Sequence, residues 1–185
     1  MPNWCMNSVT FTHPNPKEIT RIKEAFLAQR LFSEFVPCPD ELKDTVSPNR
    51  DEANASALAE KYGYTDWYSF AVNEWGTKWD TGGSDISALE ENSITLFFDT
   101  AWSPPTTFYE KLLDMGWSVS AHYYEPGMNF VGKWEDGFDD YYDSIPSTSE
   151  EIQEVIPAEI DECWDLSVRA DELAEEEEWN EDEDS

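Results

Sequence analysis

The sequence has little of what catalysis and metal binding draw on. Its two histidines, His13 and His122, show no HxxxH or similar ligand spacing. Its three cysteines, Cys5, Cys38 and Cys163, include no CxxC pair. A thiolate zinc site and a disulfide framework are therefore not expected, and a reducing cytoplasm is the expected setting. Glycine is sparse, at 8 of 185 residues, and there is no Gly-rich phosphate loop, no GxSxG elbow and no Cys–His pair. No cofactor and no enzymatic activity are expected. No run of about 18 apolar residues is present to cross a membrane, and the opening MPNWCMNSVTFTH lacks the basic stretch and apolar core of a secretory signal.

Basic residues are the scarcest class relative to their opposites. Eleven Lys+Arg stand against 41 Asp+Glu, for a formal net charge of -30. Direct binding of nucleic acid or of an acidic membrane surface is excluded, because both draw on Lys and Arg. Aromatics, by contrast, are plentiful: 9 Trp, 8 Tyr and 10 Phe. Disordered acidic chains are poor in such residues, so the chain folds despite strong self-repulsion.

Charge divides the chain. Residues 1–135 hold 20 acids and 10 bases, whereas residues 136–185 hold 21 acids and one base, Arg169. The expected organisation is a domain over 1–135 with an insertion at about 40–92, followed by an acidic extension over 136–185. Alternation with Val, Thr and Phe predicts a strand over 4–12, which Pro14 and Pro16 end. Ile19, Ile22, Ala25 and Phe26 predict a helix over 17–29. Phe32–Val36 is read as a short strand, and 53–61 and 66–75 as helices of the insertion. Residues 93–100 read as a strand. A helix capped by Ser103 starts at Pro104-Pro105 and stops at Gly116. Two strands, 117–124 and 128–134, then turn through Glu125-Pro126-Gly127. Two βαβ halves of this kind predict an α+β fold, ferredoxin-like, with an antiparallel sheet covered by helices on one face. Apolar stripes predict helices within 149–178 on either side of Pro157. The stretch 171–184, with 10 acids in 14 positions, is expected to fray through like-charge repulsion.

Four stretches, MPNWCMN at 1–7, NEWGTKWD at 73–80, TAWSPP at 100–105 and YYEPGMNFVG at 123–132, together resemble the YubB-type ferredoxin-like family of conjugative plasmids and bacteriophages. The resemblance covers roughly the first 135 residues. It implies the fold and a mobile-element origin, and no particular activity. Trp4, Asn73, Trp75, Gly76, Lys78, Trp79, Asp80, Trp102 and Gly127 are its motif positions here. The acidic end is not part of that pattern.

Two surfaces are candidates for function. Trp75 and Trp79 could stack on a base or ring, with Lys78 and Asp80 adding polar contacts. The competing reading packs both tryptophans into the core, with Gly76 as a helix stop. The second candidate is the charge. As a helix, 171–184 would span about 21 Å with one carboxylate per roughly 2 Å, close to the one charge per about 1.7 Å of duplex DNA. Glu135, Asp136, Asp139, Asp140, Asp143, Glu172, Glu175, Glu176, Glu177 and Glu178 would then stand in for phosphates. Tyr141 and Tyr142, with Phe138, Trp164 and Trp179, would serve as aromatic anchors. Asp136–Asp143 lacks the alternating oxygen ligands of a calcium loop. The leading expectation is a non-enzymatic, DNA-mimicking inhibitor of a basic host nucleic-acid-binding protein, such as a defence effector. The alternatives are a small-ligand or nucleotide-binding module on Trp75/Trp79 with a merely solubilising tail, and an adaptor whose acidic helix recruits a basic partner.

Overall fold

Burial with a period of two along Trp4–Thr12 (β1) places Cys5, Asn7, Val9 and Phe11 on one side of the strand and Met6, Ser8 and Thr10 on the other. The computed structural model describes residues 3–183, without the side chains at 177, 178 and 180–183. After β1 come α1 (Pro16–Leu27), α2 (Leu31–Phe35), α3 (Asp40–Lys43), α4 (Glu52–Tyr62) and α5 (Trp67–Glu74). Next are β2 (Ile86–Leu89), β3 (Ser93–Ala101), α6 (Thr106–Asp114), β4 (Ser118–Glu125), β5 (Phe130–Glu135) and β6 (Phe138–Tyr142). The chain closes with α7 (Ser149–Val155), α8 (Ala158–Trp164) and α9 (Leu166–Glu183). The strands form one antiparallel sheet in the order β2-β3-β1-β4-β5-β6.

One face of the sheet carries the larger core. Val9 and Phe11, Leu96 and Phe98, Val119, Ala121 and Tyr123, and Trp134 meet Ile22 and Phe26 of α1, Phe32 and Phe35 of α2, and Phe108, Tyr109 and Leu112 of α6. Local chemistry starts these helices. Asn15 accepts a hydrogen bond from Lys17 N at 3.1 Å ahead of α1, and Asp66 and Ser69 form a reciprocal capping box on α5.

The opposite face is also covered, which corrects the expectation of helices on one face only. Val131 of β5, whose neighbours Phe130 and Trp134 face the first core, packs with Ile152, Ile156, Ile160, Trp164 and Leu166, and Met6 and Tyr124 add to the cluster. Trp164 lies 5.8 Å from Phe97 and 6.0 Å from Tyr124 between ring centroids. The apolar stripes of α7 and α8 need a surface, and the outward face of β4 and β5 supplies it.

Several local expectations also change. Phe32–Val36 begins inside the α2 helix and is not a strand; its apolar side chains face the core over a single turn, too short for periodicity to separate the two forms. The strand that follows α1 in the sheet is β2, within the segment read as an insertion. Residues 138–142 are an edge strand paired with β5, although nearly all its side chains are exposed. Ser103 does not cap α6; its hydroxyl donates to Gly76 O at 2.9 Å. Residues 171–183 are helical. Because α9 starts from a root held by Asp161, whose carboxylate accepts from Ser167 N at 2.8 Å, nucleation is already accomplished. Glu, Ala and Leu then propagate it.

If the second core holds the acidic quarter to the sheet, Trp164→Ala destabilises the protein by about 3–5 kcal/mol. Urea unfolding followed by circular dichroism measures this, and a loss under about 1 kcal/mol would mean that α7–α9 contribute no packing.

Candidate functional site

The four motif stretches converge at one end of the sheet. Trp4 starts β1 opposite Ala101, the last residue of β3. Trp102 N donates to Asn3 O at 2.9 Å, and Thr77 Oγ1 donates to Ala101 O at 3.0 Å. Across the end, the buried Glu125 carboxylate accepts from Gly127 N at 2.7 Å and Met128 N at 2.6 Å, closing the β4–β5 turn. A Cβ at Gly127 would stand 2.5 Å from Asn3 Nδ2, so any larger residue in the turn would have to displace the Asn3 side chain.

The two tryptophans of NEWGTKWD do not act together. Trp75 is buried, donates from Nε1 to Val36 O at 2.9 Å, and packs on Phe32 and Phe70. The reversal lies at Gly76, whose φ of +82° turns the chain out of α5 and sends the next residues away from the core. Trp79 instead joins Trp4, at 6.1 Å, and Trp102, stacked at 6.5 Å. All three are 40–45% exposed. Lys78 Nζ lies 4.4 Å from the Trp79 ring and 5.4 Å from that of Trp102, a cation over an indole pair. Asp80 is structural: its carboxylate accepts from Phe32 N at 2.6 Å, Ser33 N at 2.9 Å and Thr81 N at 2.8 Å. Asn73 donates to Ser69 O within α5.

The acidic candidates separate into engaged and free groups. Glu135 pairs with Lys133, which also holds Glu159. Asp136 accepts from Val119 N at 2.8 Å and from the Ser118 hydroxyl, fixing the turn after β5. Asp139 accepts from the Tyr123 hydroxyl at 2.5 Å. Tyr123 reaches it by lying over Gly132, where a Cβ would fall 2.2 Å from the phenol oxygen. Burial and the Asp139 carboxylate both push the Tyr123 phenol well above its ordinary pKa. Tyr142 is half-buried against the second core, while Tyr141 and Phe138 stand exposed on the edge strand.

Asp140, Asp143, Glu172, Glu175 and Glu176 enter no ion pair among the described residues. Glu172, Glu175 and Glu176 share one face of α9 with Trp179, at i, i+3, i+4 and i+7, and Trp179 is 67% exposed. Trp164, read as an anchor for a partner, is buried in the second core instead. Glu177 and Glu178 lie outside the described side chains.

Of the histidines, His13 packs against Trp117, ring centroids 4.9 Å apart and tilted, and accepts from Asn15 N at 3.0 Å. His122 is half-buried, and its Nε2 is enclosed without a hydrogen-bond partner among the described residues. Burial, then the nearby Lys133, hold its pKa below the ordinary value, against an opposite pull from Glu159 and Glu135. Among the described residues no three His, Cys, Asp or Glu side chains gather closely enough to hold a metal ion.

Residues that sequence reasoning did not single out complete the tryptophan end. Thr81 Oγ1 donates to Asp99 O at 3.1 Å, and Phe97 N donates to Asp85 O at 2.9 Å, tying the loop after Trp79 to β3. Asp85, Asp99 and Phe97 thereby border an open cleft beside Trp4 and Trp79. Outward positions of a strand carry no sequence signal of what a distant loop brings to them.

No known family's sequence pattern matches the chain, and no curated protein matches it by sequence. Among solved structures it is remotely similar to protein api92 from Yersinia pseudotuberculosis, of the DUF1281 family. The identity is 12%, over 79% of this chain and 100% of that one, with a TM-score of 0.42.

Trp75→Ala should cost about 3–5 kcal/mol of stability as a core truncation, and Trp79→Ala about 1 kcal/mol, the worth of an exposed aromatic pair. Equal losses in urea unfolding would erase the distinction. The lowered pKa of His122 sets a pH dependence. Near pH 7.5 the imidazole is neutral in both states and costs nothing. As pH falls through the ordinary value of about 6.5, the unfolded chain takes up a proton that the folded one refuses, and stability drops. Between pH 7.5 and 5.5 the wild type should therefore lose more Tm than His122→Gln. Parallel losses would show that His122 titrates freely.

Proposed function

We propose that this protein is a non-enzymatic inhibitor that binds a basic, nucleic-acid-handling protein of a bacterial host, occupying a phosphate-binding surface in place of DNA or RNA. A single observation carries the reading. The face of α9 bearing Glu172, Glu175, Glu176 and Trp179 is exposed, its carboxylates enter no ion pair among the described residues, and the start of its helix is fixed by Leu166 in the second core and by the Ser167–Asp161 hydrogen bond. Carboxylates held in a fixed array bind without first being ordered, whereas a solubilising tail would need no root. Trp179 on the same face offers the apolar contact that bare charge lacks. Long-range attraction between such a face and a basic cleft speeds encounter and weakens with salt.

The strand order supports assigning β1–β4 with α1 and α6 to a ferredoxin-like split βαβ core. In that assignment β4-β1-β3-β2 are antiparallel throughout, β5 and β6 extend the sheet, and α7–α9 cover its second face. The reading includes a phage or plasmid origin and a role against a defence effector, which rest on the resemblance of the four motif stretches and not on the fold. The alternative reading as a nucleotide-binding module draws less from the geometry, because burial of Trp75 removes one half of the stacking pair.

Tagged protein incubated with nuclease-treated bacterial lysate should retain a basic nucleic-acid-binding protein that moderate salt or added duplex DNA releases. Reversing Glu172, Glu175 and Glu176 to Lys should weaken that capture at least about tenfold, a loss of roughly 1.4 kcal/mol or more. Capture that is insensitive to DNA and salt, or unchanged by the reversal, would remove mimicry by α9.

A further inference from the structure

Beside the tryptophan cluster, on the sheet face opposite the larger core, lies an open cleft of about 440 Å³. Trp4 and Trp79 wall it, and Phe97, Asp99 and Asp85 line its bed. Phe97 and Asp99 alternate with the core residues Leu96 and Phe98, so they face outward, and α8 reaches only as far as Phe97, through Trp164. Asp80 also borders the cleft, but its carboxylate is consumed by three backbone N–H groups. The carboxylates of Asp85 and Asp99 have no hydrogen-bond or ion-pair partner among the described residues, and no Lys or Arg lines the cleft. Partial shielding raises the pKa of Asp99, with no neighbouring positive charge to offset it.

The sign of this charge decides the ligand class. A phosphate or nucleotide would meet two uncompensated carboxylates, whereas a cation would meet two counter-charges and the electron-rich faces of indoles. The cluster already holds one cation in this way, since Lys78 sits over Trp79 and Trp102 without lining the cleft. Among biological cations, guanidinium fits best: it is flat enough to stack on an indole and forked enough to pair with a carboxylate in the same pose.

We propose that this cleft receives the side chain of an arginine presented by a basic protein partner, stacked on Trp79 and paired with Asp99 and Asp85. The identity of the occupant as a partner's arginine rests on the acidic-surface reading above, while the cleft's preference for guanidinium does not. In the complex, α9 supplies attraction over distance and the cleft supplies selection at contact.

The test uses the full-length protein at 150 mM salt and the blocked peptide Ac-Gly-Arg-Gly-NH2, with the indole N–H resonances of Trp4 and Trp79 as reporters. The arginine peptide should shift both resonances saturably, and the isosteric, neutral citrulline peptide and inorganic phosphate should not. Asp99→Asn should weaken binding by about tenfold, as expected for loss of a charge-assisted contact. Trp79→Ala should abolish it and Trp79→Phe restore part of it. Should Trp79→Ala fail to fold, Asp99→Asn, an exposed and nearly isosteric change, decides alone. Equal shifts by the citrulline peptide, or no effect of Asp99→Asn, would overturn the proposal. The α9 reversal of Glu172, Glu175 and Glu176 should leave peptide binding within about twofold. Intact peptide binding beside partner capture that ignores the reversal would sink the α9 reading alone. Lost peptide selectivity beside capture that still responds to the reversal would sink the cleft alone.

Discussion

The acidic quarter of this molecule depends on one contact, the insertion of Trp164 between Phe97 and Tyr124 on the second face of the sheet. A chain at -30 gains nothing from its own electrostatics on folding, and every carboxylate brought near another opposes compaction. The opposing term is apolar burial. On the second face it comes from a small cluster, Val131, Ile152, Ile156, Ile160, Trp164 and Leu166, all from segments otherwise dense in Glu and Asp. The apolar residues point at the sheet and the acids point away, so one helical period both anchors the segment and sorts its charge outward. The start of α9 is fixed by the same packing, through Leu166.

That same packing explains which parts of the fold were readable from the sequence. The strands β1, β3, β4 and β5 announce themselves because each has one or both faces buried and so alternates or runs apolar. β2 does not, since Ile86–Leu89 is four residues with little burial. β6 does not either, because nearly all side chains of Phe138–Tyr142 are exposed and its acids suit an exposed edge, where charge discourages pairing with another chain. The stripes of α7 and α8 were readable, but their destination was not: a helical period tells that a face is covered and not what covers it.

At the tryptophan end, spacing suggested a pair that the fold takes apart. Trp75 and Trp79 are four apart, which on a continuing helix would align them. The helix ends between them, and the left-handed Gly76 sends one tryptophan inward and the other to meet Trp4 and Trp102, residues distant in sequence. Asp85 and Asp99 become neighbours of that cluster only through the pairing of β2 with β3 and the Thr81–Asp99 hydrogen bond. Long-range hydrogen bonding of this kind leaves no local periodicity to read.

Charge and aromatic clefts act over different distances, and that difference argues for a division of labour. Unscreened attraction reaches about 8 Å at physiological salt, so in the proposed complex the carboxylates of α9 would influence approach and orientation but discriminate poorly among basic surfaces. Stacking and forked hydrogen bonding vanish within one atomic layer and do discriminate. A protein that relied on charge alone would bind every basic surface in the cell. Exposure of Trp4, Trp79 and Trp102 in a protein otherwise able to bury its indoles, as it does Trp75, Trp117, Trp134 and Trp164, carries a solvation cost that packing does not require. Contact with a partner would recover it. The end of the sheet where the four motif stretches meet is therefore the part of the surface with the most to gain from being covered.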